Sequence, residues 1–231
     1  MGLNFKNNKT EEGDNNIFWT TMSDLMLGLA IIFMTLFVFA MTGFTQQNLE
    51  QKKQQMEMSK ELVKNLKNAN IQAEVDKMTG DIKISDVDLF EVGSYKLSNK
   101  GKLFLDKFAP IYINTIFSKE DFASNIESIL VQGHTDSQMF AGVTNPNEQY
   151  LRNMTLSLER ANSVANYIFQ TNYDKSYSEK LKKKLVVEGK SFSVPVLVNG
   201  KEDYQKSRRV ELRLKPRSMD ITDQLFLRGN K

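Results

Sequence analysis

The sequence predicts a single N-terminal transmembrane helix, a helical linker and a C-terminal α/β sandwich domain. Three observations lead to this fold class. Residues 17–44 are almost entirely apolar, residues 45–70 combine polar and helix-favouring side chains, and residues 71–216 mix strand and helix patterns. The polar residues 1–16 and the last residues, 217–231, are predicted to be tails.

Composition narrows the function classes. The chain has 231 residues, of which 40% are hydrophobic and 26% are charged, an ordinary globular balance. Its formal net charge of +3 is too small to indicate a nucleic-acid partner. The absence of cysteine excludes disulfides and thiolate metal sites, and the single histidine, His134, excludes a multi-histidine metal site. Because the sequence has no nucleophile–base set and no glycine-rich phosphate loop, we expect no enzyme activity, no catalytic residues, no metal and no resident cofactor.

The apolar stretch at residues 17–44 is the strongest signal in the sequence. A helix of about 20 apolar residues crosses a bilayer, and this stretch is longer, with Asp24 as its one charged residue. Phe18 and Trp19 stand at one end, where aromatic side chains anchor a helix at the membrane interface. The alternative is a buried helix of a soluble protein, but core helices seldom run this far without polar side chains.

Asp24 lies about two turns inside the apolar stretch. Acidic residues within a membrane usually mark ion or proton pathways, because a charge there is costly. Helical spacing places Asp24 on one face with small and hydroxyl residues, which let membrane helices approach closely; this face comprises Asp24, Gly28, Ile31, Thr35, Val38 and Thr42. One helix cannot enclose an ion path alone, so other chains are implied. The alternative is that Asp24 lies at the headgroup boundary or caps the helix.

Residues 45–70 carry sparse apolar positions on a polar, helix-favouring background. These positions are Leu49, Met56, Leu62, Val63 and Leu66. Two interpretations stay open at this point. Either the helix pairs with a second copy or packs over a channel mouth, or it is a solvated spacer.

Residues 71–216 have the mixture of strands and helices expected of one small α/β sandwich. Strands are predicted at residues 71–75, 82–85, 129–132, 185–188 and 210–214, and the first two form a hairpin. A helix is predicted after Ser98, with an apolar stripe of Leu103, Phe104, Phe108, Ile111 and Tyr112, and a second helix at residues 156–169.

The start of the apolar stretch resembles a known membrane helix. Residues 18–26, Phe-Trp-Thr-Thr-Met-Ser-Asp-Leu-Met, are similar to the beginning of the membrane helix in the B subunits of flagellar stators, MotB and PomB. The aspartate of that family carries the transported ion, so the resemblance implies that Asp24 carries H⁺ or Na⁺. Met22-Ser23 departs from the Tyr-Ala or similar pair that precedes the aspartate in those proteins.

Three motifs, in order, resemble the OmpA-like peptidoglycan-binding domain over roughly residues 71–216. They are Val-Gln-Gly-His-Thr-Asp at 131–136, Asn-Met-Thr-Leu-Ser-Leu-Glu-Arg-Ala at 153–161, and Ser-Arg-Arg-Val-Glu at 207–211. The resemblance implies a clamp for the diaminopimelate stem of peptidoglycan, formed by Thr135, Asp136, Asn153, Arg160 and Arg209. Asp136 is expected to accept hydrogen bonds from the ligand ammonium, and Arg160 is expected to bind the ligand carboxylate through a bidentate fork.

Three residues beside the predicted ligand-binding residues are expected to have structural roles or to be solvated. His134 is expected to be a packed structural residue, and Arg208 suits a structural salt bridge equally well. Glu159 equally suits a solvated position. The segment Ser137–Gln149 is longer than in the shortest members of the family, and we expect it to add a lid or to alter access.

Together, the two resemblances imply a stator subunit. A homodimer would lie inside a ring of a larger MotA-like multi-span subunit, ion passage at Asp24 would drive rotation, and peptidoglycan would hold the centre fixed. The setting is either the Zorya type of anti-phage defence or flagellar motility, and the short linker together with Met22-Ser23 favours the first. The remaining hypothesis is a passive cell-wall tether without ion transport.

The implied location is the bacterial inner membrane, crossed once, with a cytoplasmic N-terminus and a periplasmic C-terminal domain. Lysine counts oppose this orientation. Lys6 and Lys9 precede the span, whereas Lys52, Lys53, Lys60 and Lys64 follow it. We give the wall-binding chemistry more weight, because peptidoglycan lies on one side of that membrane only.

Overall fold

The computed structural model of the chain describes residues 9–71, 73–91 and 93–217. The chain separates into two compact units, Met1–Glu50 and Gln51–Lys231. Of the two predicted tails, residues 1–8 and 218–231 lie outside the described residues.

The first unit contains the first part of the long helix α1 (Lys9–Asn68). Because α1 begins at Lys9, residues 9–16 are helical, although they were predicted to belong to a tail. Within α1, Ile17–Gly43 is long and apolar enough to cross a membrane, and it is the one such stretch among the described residues. This agrees with the predicted transmembrane helix at residues 17–44.

Hydroxyl side chains in and beside this stretch bond to their own helix. Each donates to a backbone carbonyl three or four residues earlier, at 2.8–3.0 Å; the residues are Thr21, Ser23, Thr35, Thr42 and Thr45. These bonds suit a membrane helix, because an unpaired polar group in hydrocarbon costs several kcal/mol. The carboxylate of Asp24, by contrast, has no hydrogen-bond or ion-pair partner within the described residues.

The second unit is built on a five-stranded sheet. Its strands are β1 (Glu74–Val75), β2 (Ile82–Ser85), β3 (Ile126–His134), β4 (Leu185–Gly189) and β7 (Arg209–Pro216), and β5 (Leu197–Val198) and β6 (Lys201–Glu202) form a separate hairpin. The strand order is β1-β2-β7-β3-β4. Strand β7 runs antiparallel to both β2 and β3, whereas β3 and β4 are parallel. The last strand of the chain therefore lies at the centre of the sheet.

Helices cover the sheet and complete the core. They are α2 (Asp86–Leu89), α3 (Asn99–Phe117), α4 (Glu120–Asn125), α5 (Pro146–Gln170), α6 (Ser178–Lys184) and α7 (Tyr204–Ser207). Helix α5 packs on β3 and β4 and also against α3. Ile129, Val131 and Leu212 of the sheet are completely buried together with Phe108 of α3 and Val164 of α5. This mixed domain, preceded by one apolar helix, confirms the predicted fold class.

The structure assigns most of the predicted linker, from Gln51 onward, to the domain. Met58, Leu62 and Leu66, spaced by four residues along α1, are at most 2% exposed and belong to the core. A hydrogen bond also joins this part of α1 to α3, since the side chain of Asn65 donates to Oγ1 of Thr115 at 3.0 Å. The solvated-spacer interpretation is therefore wrong for residues 51–68, and the compact unit begins at Gln51 rather than Ile71.

A glycine allows α5 to approach β3 closely. A Cβ atom added at Gly133 would lie 1.9 Å from the backbone oxygen of Ser157 in α5, which no side chain can tolerate. The same contact aligns α5 with the end of β3. Gly133 therefore determines the distance between the polar residues of α5 and those that follow β3.

We expect Gly133→Ala to lower the free energy of unfolding by about 1–3 kcal/mol or more, because the new methyl group forces the backbones of β3 and α5 apart. Calorimetry of the full chain in mild detergent measures the fall in melting temperature. The matched control is Asn166→Ala, at an exposed position of α5, which should leave the melting temperature nearly unchanged. Equal stability of the Gly133→Ala variant and the wild type would contradict the close contact.

Candidate functional site

A cleft with a volume of about 380 Å³ opens beside the carboxyl end of β3. Thr135 and Asp136 directly follow that strand and line the cleft. Asn153 and Arg160 line it from α5, where seven residues, or two helical turns, place them on one face. The structure thus brings together four of the five predicted peptidoglycan-binding residues.

Arg160 is held in one orientation. Its Nη1 lies 3.2 Å from Oδ2 of Asp86, and its Nε donates to the backbone oxygen of Ser94 at 3.0 Å. The guanidinium carbon also lies 5.2 Å from the centre of the Phe90 ring, within range of a cation–π contact. Burial lowers the pKa of Arg160, and the Asp86 carboxylate opposes this effect. The result is a buried, oriented guanidinium at the wall of the cleft.

Two acidic residues and two arginines form a continuous network in the cleft. Nη1 of Arg208 donates to Oδ2 of Asp136. Nε of Arg208 lies 3.6 Å from Oδ2 of Asp86, the same oxygen that contacts Arg160. Both signs of charge are therefore present side by side, which suits a ligand that itself carries an ammonium and a carboxylate.

Asp86 was not predicted from the sequence, although it is central to this network. It opens α2 immediately after β2, and its backbone N–H donates to the backbone oxygen of Arg208 at 3.1 Å. Burial raises the pKa of the Asp86 carboxyl, against the opposing charges of Arg160 and Arg208. Nothing in the local sequence marks this residue, because its partners lie far away along the chain.

Arg209 does not lie in the cleft, contrary to the prediction. Its Nε donates to Oε1 of Glu211 at 2.6 Å, and its Nη1 donates to the backbone oxygens of Val194 and Ser207. Adjacent residues of a strand point to opposite faces of the sheet. Arg208, rather than Arg209, therefore points to the cleft.

An alternation already present in the sequence would have predicted this choice. Val210, Leu212 and Leu214 of β7 are buried in the core. A residue two positions before Val210 shares their face of the sheet, and α5 covers that face. Counting back by two from Val210 reaches Arg208.

The segment Ser137–Gln149 forms part of the cleft wall. Gln138, Met139 and Phe140 line the cleft. The buried side chain of Gln149 holds the segment, since its Oε1 accepts from the backbone N–H of Phe140 at 2.9 Å and its Nε2 donates to the backbone oxygen of Gln138. The segment is thus fastened to the start of α5 as a fixed wall.

His134 is a packed residue of the sheet. It is 2% exposed, and neither ring nitrogen makes a hydrogen bond within the described residues. The nearest carboxylate oxygen belongs to Glu211, 3.9 Å from Nε2. Burial, reinforced by the charge of Arg209, lowers the pKa of His134 to about 4. His134 is therefore neutral at pH 7.

The buried His134 should make the domain less stable in acid. The pKa of His134 is lower in the folded state than its unfolded-state value of about 6.5. Above pH 6.5 the neutral histidine therefore costs the folded state nothing, whereas the free energy of unfolding falls as the pH drops toward about 4. The loss amounts to about 3 kcal/mol. Unfolding free energies of the wild type and of His134→Gln, measured between pH 7 and pH 4, should show a shallower slope for the variant. Parallel slopes would contradict a neutral buried histidine.

Comparison with known proteins identifies the family. A model of the OmpA family matches residues 89–209. Over 223 residues, the chain is 30% identical to the Zorya protein ZorB of Escherichia coli (Crooks strain), a match that covers 88% of this chain and 90% of that protein. The chain is a ZorB-like member of the OmpA family. A second Zorya protein ZorB, from the ETEC strain of Escherichia coli, is 26% identical over 222 residues, covering 90% of this chain and 84% of the relative.

A solved structure supports the fold of this family member. The MotB-like protein of Desulfovibrio vulgaris superposes with a TM-score of 0.51 at 17% identity, covering 74% of this chain and 97% of that structure. The predicted resemblance to OmpA-like and stator B proteins is thereby confirmed at the level of family and fold. One apolar N-terminal helix followed by such a domain fits a single-pass inner-membrane protein.

Proposed function

We propose that this chain is the peptidoglycan-anchored B subunit of an ion-driven rotary stator of the Zorya anti-phage type, with Asp24 as the ion carrier. One observation carries the proposal. A single chain joins an acidic residue within a membrane-crossing helix to a cleft whose acidic and basic groups suit a cell-wall ligand. A passive tether does not require an acidic residue in the membrane helix, and an ion carrier does not require a ligand-binding cleft.

The anchor function rests on the charges of the cleft. Diaminopimelate, the stem residue of peptidoglycan, presents an ammonium and a carboxylate at the free end of its side chain. Arg160 and Arg208 offer guanidinium groups to the carboxylate, and Asp86 and Asp136 offer acceptors to the ammonium. Arginine is well suited to the first task, because its planar fork matches a carboxylate.

The ion-carrying function rests on Asp24 and its helix face. The Asp24 side chain is exposed and has no partner among the residues that the structure describes, and its face contains Gly28 and the internally bonded Thr35. An acid in a membrane needs a partner or a path, and small residues let another helix approach to provide one. We propose that a MotA-like multi-span subunit surrounds two copies of this chain and supplies the path for H⁺ or Na⁺.

The Zorya setting is favoured over flagellar motility by the 30% identity to ZorB, which extends over 88% of the chain and so reaches at least part of the apolar helix. The likeness to the MotB-like structure, at 17% identity, supports the fold alone. We propose an orientation with a cytoplasmic N-terminus and a periplasmic domain, because the wall is reached only from the periplasm.

Purification from native membranes tests the stator proposal. We expect the chain, extracted in mild detergent, to bring down an excess of a multi-span MotA-like protein, identified by mass spectrometry. A matched Asp136→Asn preparation should retain that partner, because the substitution lies outside the membrane helix. Recovery of the chain alone, or with wall fragments only, would make the passive tether the better account.

A reporter fusion tests the orientation separately. Alkaline phosphatase fused after Lys231 should be active, because that enzyme folds only in the oxidising periplasm. The same reporter fused before Met1 should be inactive. The reverse pattern would exclude peptidoglycan as the ligand and would agree with the lysine count.

A further inference from the structure

The last part of α1, residues 51–68, is attached to the domain along most of its length. Near its start, Gln51 donates to the backbone oxygen of Arg217 at 3.3 Å, and Gln55 donates to that of Thr79 at 3.0 Å. Further contacts continue as far as Leu66; the side chains bonded to the domain are Ser59, Glu61 and Asn65, and the buried apolar ones are Met58, Leu62 and Leu66. These residues can therefore extend only if the helix leaves the core.

The chain between the membrane helix and the domain is short. The apolar stretch ends at Gly43, and the domain unit begins at Gln51. We call residues 44–50, which lie between them, the joint. The eight residue steps from Gly43 to Gln51 span about 12 Å as α-helix and at most about 28 Å when fully extended. Chain length alone thus limits how far the start of the domain can lie from the end of the membrane helix.

Within the domain, Gln51 and the cleft lie at opposite ends of β3. Arg217, to which Gln51 donates, itself donates its backbone N–H to the backbone oxygen of Asn125 at 2.8 Å, directly before β3 begins. Thr135 of the cleft follows the other end of β3. A strand of nine residues is about 30 Å long. The cleft therefore lies about 30 Å beyond the start of the domain.

We propose that the anchor has a limited reach, so that the cleft binds only wall that lies within about 60 Å of the end of the membrane helix at Gly43. This distance combines the fully extended joint with the length of the domain. The inference rests on the proposed peptidoglycan anchor, and it adds a condition on where the wall must lie. Release of residues 51–68 from the core would add about 60 Å of extended chain, so their contacts with the domain keep the reach short. Wall binding in the cell should therefore depend on the spacing between membrane and wall.

Lengthening the joint tests this limit. One variant carries about 20 flexible Gly and Ser residues inserted after Gln47, within the joint. The matched control carries the same residues after Lys231, outside the path from the membrane to the cleft. Cells expressing each chain are placed in a graded series of sucrose concentrations, which draws the membrane away from the wall. An amine-reactive cross-linker then attaches bound chains to the sacculi, and the attached share is measured.

We expect all three chains to attach equally in ordinary medium. As sucrose rises, attachment of the wild type and of the control should fall by about 10-fold or more at concentrations where the lengthened variant still attaches, because a tether that cannot span two sites gives almost no effective concentration. Microscopy of the same cells establishes that the membrane has retracted. Loss of attachment by all three chains at the same sucrose concentration, or by none of them, overturns the limited reach.

A second variant tests whether α1 stays in the core. Asn65→Cys combined with Thr115→Cys places two cysteines at a contact between α1 and α3, in a chain that otherwise has none. With the two joined by a disulfide, as a non-reducing gel establishes, attachment in ordinary medium should equal that of the wild type. Loss of attachment would show that α1 must leave the core, which also overturns the limit. A wild type that neither attaches in cells nor sediments with isolated sacculi contradicts the anchor function itself.

Discussion

Asp24→Asn should abolish phage protection while leaving membrane abundance and wall binding unchanged. Asparagine has the shape of aspartate, but it cannot alternate between a protonated and an ionised form, so it cannot carry an ion. It is also less costly than a charge inside the membrane, where an aspartate costs about 2.5–3.5 kcal/mol, so the helix should still insert. Plating efficiency of phage on cells that express the complete defence system measures the effect, which should fall to the level of cells without the system.

The matched control for Asp24→Asn is Thr35→Val, on the same helix face. The hydroxyl of Thr35 donates to its own backbone, at Ile32, and its loss removes no contact with a charge. This variant should retain protection. Full protection by Asp24→Asn would show that the acid is incidental and that the chain is a passive tether.

Arg160→Lys should weaken sacculus binding by about 10- to 100-fold, the second large effect that we expect. Lysine preserves the positive charge, but it lacks the planar fork that binds a carboxylate through two parallel hydrogen bonds. The existing contacts to Asp86 and Ser94 depend on the same planar geometry, so the remaining ammonium would also be poorly oriented. Co-sedimentation of the full chain with purified sacculi, at several chain concentrations, measures the affinity.

Arg209→Lys is the matched control, because Arg209 is another buried arginine, at 6% exposure, on the opposite face of the sheet. Its substitution should lower stability through the lost contacts with Glu211 and Val194, yet leave sacculus affinity unchanged. If Arg209→Lys reduced wall binding as much as Arg160→Lys, the assignment of the ligand to the cleft would be wrong.

The membrane helix and the order of the domain elements could be predicted from the sequence because they depend on local patterns. Length and apolar composition alone indicate that residues 17–43 can cross a bilayer. The strands at residues 129–132 and 210–214 were predicted inside the longer β3 and β7, since runs of β-branched and apolar residues mark the core of a strand better than its ends.

The role of the linker could not be predicted from its local sequence pattern. Leu62 and Leu66 lie on a polar helix, and such a sparse apolar stripe fits a second copy, a channel mouth or the chain's own domain equally well. The structure places both side chains in the domain core. Only the tertiary contacts, such as that between Asn65 and Thr115, distinguish these cases, because they join residues far apart in the sequence.

By itself, the sequence determined the membrane span, the acid within it, the α/β class of the domain and four of the residues in the cleft. The span, the acid and the domain class follow from composition and helical period, which act over short stretches of chain, whereas the cleft residues follow from the resemblance of three ordered motifs to the OmpA-like domain. The tertiary structure alone decided that Asp86 joins Arg160 and Arg208. The physical reason is that β7, the last strand, lies between β2 and β3, so strand pairing creates the site from segments that are remote from one another in the chain.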